Sequence, residues 1–115
     1  MAVSFKHEKE FLIVKINDEI DHHSAEKIRI NIDNEVMISG SKNIIFDIEN
    51  VDFMDSSAIG LIIGRYKLTN LIGGQTAIVC TNNSLNKILL LAGINRIIKT
   101  YESIECAICG IKESK

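Results

Sequence analysis

The stretch Asn43–Lys67, "NIIFDIENVDFMDSSAIGLIIGRYK", changes its period halfway through, and that change decides the fold. "NIIFDI" is a short apolar run and predicts a buried strand. From Ser56 onward the pattern predicts a helix over roughly residues 56–72, ended by Gly73-Gly74. The chain on either side repeats the alternation. Upstream, Ala25, Ile28, Ile32 and Val36 recur at helical spacing, which predicts an amphipathic helix over roughly 22–39. Before it, "AVSFKHE" places Val3 and Phe5 on one face, and "FLIVKIN" is a stronger strand. The short polar link between them predicts an antiparallel hairpin. Downstream, "QTAIVC" reads as a strand. "NSLNKILLLAG" reads as a helix stopped by Gly93, "RIIKT" as a last strand, and "ESIECAICGI" as a last helix.

The order is β-β-α-β-α-β-α-β-α. Strands separated by helices need crossover connections, so the expected fold is α/β: a mostly parallel sheet with an N-terminal antiparallel hairpin strand and flanking helices. One domain is expected over residues 1–115, since the chain has no proline, repeat or low-complexity linker. With 46% hydrophobic and 24% charged residues it has an ordinary globular composition. A net charge of −2 argues against nucleic acid, which favours a basic face. No apolar run is long enough for a bilayer, and the charged start "MAVSFKHEKE" lacks the apolar core of a secretion signal. Three cysteines make no disulfide framework, so a reducing cytoplasm is expected.

Groups that act in such sheets collect where strands end and helices begin. Two junctions qualify, Ile20–Ser24 and Met54–Ser57. With Asp55 as N-cap, Met54 and Ile59 fall at the two positions of a hydrophobic staple; with Ser56 as cap, Asp55 and Gly60 would have to pack instead. Asp55 is therefore the expected cap, and its carboxylate also suits the helix dipole. Ser56 then falls in the first turn with a hydroxyl that caps nothing. Asp21 is the expected cap of the earlier helix, with Ile20 and Ala25 as its staple.

Three readings of Asp55-Ser56-Ser57 stand at this point. Helix capping alone accounts for the residue types. A nucleophilic Ser56, in a small α/β hydrolase or ligand-binding domain, needs a base within reach, and His7, His22 and His23 all lie in the first 23 residues. A phosphoryl acceptor is the third reading, because free N–H groups at a helix start stabilise an anion. Cys106-x-x-Cys109 lies near a helix end and reads as packing rather than redox chemistry or metal. Adjacent His22 and His23 point in different directions and read as a partner-facing surface rather than a metal pair. Gly60 and Gly64 read as close helix packing or close approach of a partner. No phosphate-binding P-loop is present.

"FDIENVDFMDSSAIGLIIGRYK" together with "EIDHHSA", the "LIGG" turn and "KILLLAGINRIIK" resembles the anti-sigma factor antagonists, which are STAS domains, and among them the sporulation branch. The resemblance runs the length of the chain. It implies a STAS-type fold and a binding protein without catalysis or a cofactor of its own. The first serine of the pair, Ser56, would be the phosphorylation site; Asp21, His22 and His23, which share a strand-to-helix junction edge with Ser56, are expected to face the partner together with Asp55 and Ser57. The implied partners are an anti-sigma factor that is also a serine kinase carrying ATP or ADP, and a protein serine phosphatase. In that scheme the unphosphorylated form binds the anti-sigma factor and frees a sporulation sigma factor, and phosphorylation ends binding. The family usually has glycine after the two serines; this chain has Ala58.

Overall fold

The computed structural model describes residues 3–114; Met1, Ala2 and Lys115 lie outside them, including the Ala2 that begins the first alternating stretch. The elements are β1 (Val3–Glu8), β2 (Phe11–Ile16), α1 (His22–Ser39), β3 (Asn43–Asp47), α2 (Ser56–Leu71), β4 (Thr76–Val79), α3 (Asn83–Leu91), β5 (Lys99–Tyr101) and α4 (Ile104–Glu113). One sheet runs in the order β1-β2-β3-β4-β5. β1 and β2 pair antiparallel, and every later pair is parallel. The hairpin closes through Lys9 and Glu10, with Lys9 in the left-handed region at φ 57°.

Strand periodicity divides the apolar residues between two faces. Leu12, Val14 and Ile16 of β2, Ile44 and Phe46 of β3, and Ile78 of β4 enter the larger core. There they meet Ile28, Ile32 and Val36 of α1, Ala58, Leu61 and Ile62 of α2, and Leu85 and Leu89 of α3. Their neighbours Phe11, Ile13, Ile45, Ala77 and Val79 turn to the other face, under Ala107 and Ile111 of α4. Among the described residues, α1, α2 and α3 thus cover one face and α4 covers the other.

The end of the chain corrects one expectation. "RIIKT" is not a strand throughout: Ile94–Arg96 form a 3-10 turn, and β5 begins only at Lys99. Ile94 and Ile98 are buried while Ile97 stays exposed. The apolar cluster therefore plugs the core through a tight turn that follows Gly93, whose φ of 78° redirects the chain after α3. Close approach does require glycine at Gly74, where a Cβ would run into the Lys42 carbonyl.

Candidate functional site

The parallel strands β2 and β3 deliver the N-termini of α1 and α2 side by side at the carboxyl end of the sheet, and the two helices pack together. Each start is capped by an aspartate, as the staples implied. Asp55 Oδ1 accepts hydrogen bonds from the backbone N–H groups of Ser57, at 2.9 Å, and Ala58, at 3.1 Å. Met54 and Ile59 join the main core beneath it. Asp21 accepts from the Ser24 N–H at 2.8 Å, and the Ser24 hydroxyl lies 3.2 Å from the Asp21 N–H, completing a capping box that the sequence reading missed. These Ser24 bonds, backbone first, hold the Asp21 carboxyl below its ordinary value of 3.8.

The two serines have different surroundings. Ser56 is exposed, and its hydroxyl has no hydrogen-bond partner among the described residues. Ser57 is half-buried, and its Oγ lies 3.2 Å from Nδ1 of His22, across the gap between the helices. His22, Ala25, Glu26, Ser56, Ser57 and Gly60 line one shallow hollow there. The fold thus unites Ser56, Ser57, Asp55, Asp21 and His22. His23 shares the same helix start, its ring meeting the His22 ring edge-on at 6.3 Å between centroids. A hydrolytic triad is not assembled on Ser56: the near imidazole reaches Ser57, and no carboxylate orients its second nitrogen among the described residues.

Three features of the site were not legible along the chain. Basic groups are absent near Ser56 in sequence, yet the groove that continues from Ser57 is lined by Arg29 and Arg65. Glu26 and Asp33 hold these cations. Arg29 bonds both carboxylates, which raises its guanidinium above its ordinary value, with Glu26 contributing most. Arg65, only 8% exposed, places Nε 3.1 Å from Asp33 Oδ1, an ion pair not aligned as a hydrogen bond, and its Nη1 is buried unpaired. Burial pulls the Arg65 guanidinium below its ordinary value, outweighing the opposing pull of the Asp33 carboxylate.

Gly60 and Gly64 are the second feature. They line this groove, and a Cβ at either would meet nothing within 4 Å. They leave the groove floor open, so close packing between the two helices does not explain them. The third is Asn82, which caps α3 and also bonds backward. Its amide donates to Asp52 Oδ1 at 2.8 Å and to the Val51 carbonyl at 3.3 Å, fixing the loop that leads into Asp55. On that loop Phe53 stands 53% exposed. Ala58, where the resemblance leads one to expect glycine, is 1% exposed and its methyl fills the main core. Cys106 and Cys109 are both exposed on α4, and Cys80 is buried, its thiol pushed up by desolvation.

The sequence profile described as the STAS domain matches residues 2–107. The anti-sigma F factor antagonist of Paenibacillus polymyxa is 32% identical over 103 residues, which span 90% of this chain and 88% of the relative. Two solved structures share the architecture. The anti-sigma factor antagonist SpoIIAA in its unphosphorylated form superposes with a TM-score of 0.82 at 26% identity, covering 97% of each chain. The Bacillus cell fate determinant SpoIIAA in its phosphorylated form gives 0.73 at 26% identity, covering 96% of this chain and 99% of that one.

Proposed function

The chain belongs to the STAS domain family and to its anti-sigma factor antagonists, and from that premise we propose that it is a phosphorylation-switched binding protein with Ser56 as the switch. In the unphosphorylated state it binds an anti-sigma factor that is also an ATP-dependent serine kinase, and so releases a sigma factor, sigma F of the sporulation programme. The kinase then phosphorylates Ser56 and binding ends, until a protein serine phosphatase restores the hydroxyl. Asp21, His22, His23, Asp55 and Ser57 form the partner-facing rim, and the protein performs no catalysis and carries no cofactor.

The observation that carries this reading is the Ser56 hydroxyl: exposed, without a hydrogen-bond partner among the described residues, and placed in the first turn of an aspartate-capped helix. A phosphoryl group there sits at the positive end of the helix dipole and points into solvent, so the domain tolerates it even though Asp55 already holds the Ser57 and Ala58 N–H groups. Against a partner pocket that already holds nucleotide phosphates the same charge, about −1.5 to −2, is repelled. The switch is thus a repulsive element placed on an unchanged fold. The direct test is incubation with the anti-sigma factor from the same genome and MgATP, followed by intact-mass measurement. One phosphoryl group per chain, absent from Ser56→Ala, is expected. Stoichiometric phosphate on Ser56→Ala would reassign the acceptor.

A further inference from the structure

Ser56 and Ser57 are consecutive in one helical turn, and only one of them is tethered. The Ser57 hydroxyl lies 3.2 Å from His22 Nδ1, whereas the Ser56 hydroxyl is free of protein partners among the described residues. Resting on the phosphoacceptor reading above, we propose that His22 is the residue that decides between the two serines. It engages the Ser57 oxygen across the α1–α2 gap and so leaves Ser56 as the acceptor.

The chemistry makes tethering consequential. In the transfer, Ser56 Oγ forms a bond to the γ-phosphorus of a nucleoside triphosphate, and the bond from that phosphorus to the bridging oxygen breaks. The diphosphate leaves with the electron pair, and the hydroxyl proton passes to a base on the kinase. The attacking oxygen must align with the leaving group and give up its proton. Ser56 can do both by rotating about χ1 alone. Ser57 cannot do so without first losing its contact with His22.

The restraint holds in either tautomer. When Nδ1 carries the lone pair, the Ser57 O–H donates to it and the proton itself is held. When Nδ1 carries hydrogen, it donates to a Ser57 lone pair. Burial acts in the same direction, because Ser57 is half-buried where Ser56 is exposed. His22 itself is anchored at the first position of α1 by the Asp21 cap. Its ring is thus aimed by α1 at a hydroxyl that sits 35 residues away in the chain.

The test is the division of phosphate between the two serines after incubation with the same-genome anti-sigma factor and MgATP, read by peptide fragmentation. Wild type is expected to carry its phosphate on Ser56. His22→Ala should raise the Ser57 share about fivefold, the weight of one net hydrogen bond. His22→Asn, whose amide can occupy the place of Nδ1, should restore the wild-type division, which a merely structural role would not predict. An unchanged Ser57 share in His22→Ala overturns the inference while leaving Ser56 as the switch. Failure of the wild type to take phosphate on either serine instead overturns the phosphoacceptor reading itself. Independently of any kinase, Ser57→Ala should move the His22 ring nitrogen signals in NMR; signals that stay in place would remove the hydrogen bond on which the inference stands.

Discussion

Replacing Asp55 tests the local physics of the site most sharply, because two substitutions separate its hydrogen bonds from its charge. Asp55→Ala removes the acceptor of two N–H groups, at 2.9 and 3.1 Å, in a half-buried first turn whose neighbour Ala58 is fully packed. Loss of an N-cap costs about 0.5–2 kcal/mol, and the limited access of water to these donors places the effect in the upper half, at about 1.5 kcal/mol. Asp55→Asn keeps a good cap and loses only the charge–dipole attraction, about 0.3–1 kcal/mol. With an unfolding entropy of roughly 2.1 cal/mol/K per residue, a chain of this size loses about 0.24 kcal/mol per degree. The alanine variant should therefore melt about 6 °C lower, and the asparagine variant about 1–4 °C lower. Calorimetry at neutral pH and moderate salt reads both. Equal losses for the two variants would show that Asp55 acts through its charge alone, and a drop below about 2 °C for alanine would refute the capping argument.

Ser56→Ala should change stability by less than about 0.5 kcal/mol, measured by urea unfolding, because its hydroxyl satisfies no other group. Ala58→Gly, which installs the residue usual in the family, should destabilise by roughly 1–2 kcal/mol through the lost core methyl and the helix penalty of glycine; a neutral result would mean the methyl packs against nothing. Asp21→Ala should weaken binding of the anti-sigma factor as well as the α1 cap, and unchanged affinity by calorimetry on the folded variant would leave Asp21 purely structural. The Asp21 carboxyl has a depressed value in the folded state, so its contribution is complete above the unfolded value near 3.8 and is lost only as pH falls through the lower folded value. An acid titration of Asp21 by carboxyl NMR that centres at or above 3.8 would contradict the Ser24 capping box.

Local signals made most of the fold legible. Period changes located the four α-helices of the described residues, and the staple argument placed both aspartate caps, because those depend on residues within five positions of one another. The last strand was misread since Ile97 and Ile98 look like a strand while tertiary demand for Ile94 and Ile98 in the core imposes a 3-10 turn. Ser24 escaped notice because serine at the third helical position is a rarer capping-box partner than Glu or Gln. The site's side-chain geometry was harder. His22 meets Ser57 across 35 residues, and Arg65 meets Asp33 across the α1–α2 gap, contacts that no local pattern encodes. The Glu26–Arg29–Asp33 series was readable from helical spacing alone, but its purpose, holding two arginines beside the open floor at Gly60 and Gly64, required the fold.

The central claim is that phosphate on Ser56 empties the complex by repulsion while the domain stays folded as before. Its most direct test is a paired measurement on the unphosphorylated and phosphorylated chains: affinity for the nucleotide-bound anti-sigma factor, and the amide NMR spectrum of each form alone. The account predicts an affinity loss of at least about 100-fold, corresponding to roughly 3 kcal/mol of unpaired charge, with shifts confined to the first turn of α2 and the facing start of α1. Equal affinities, or shifts spread across the sheet, would contradict it.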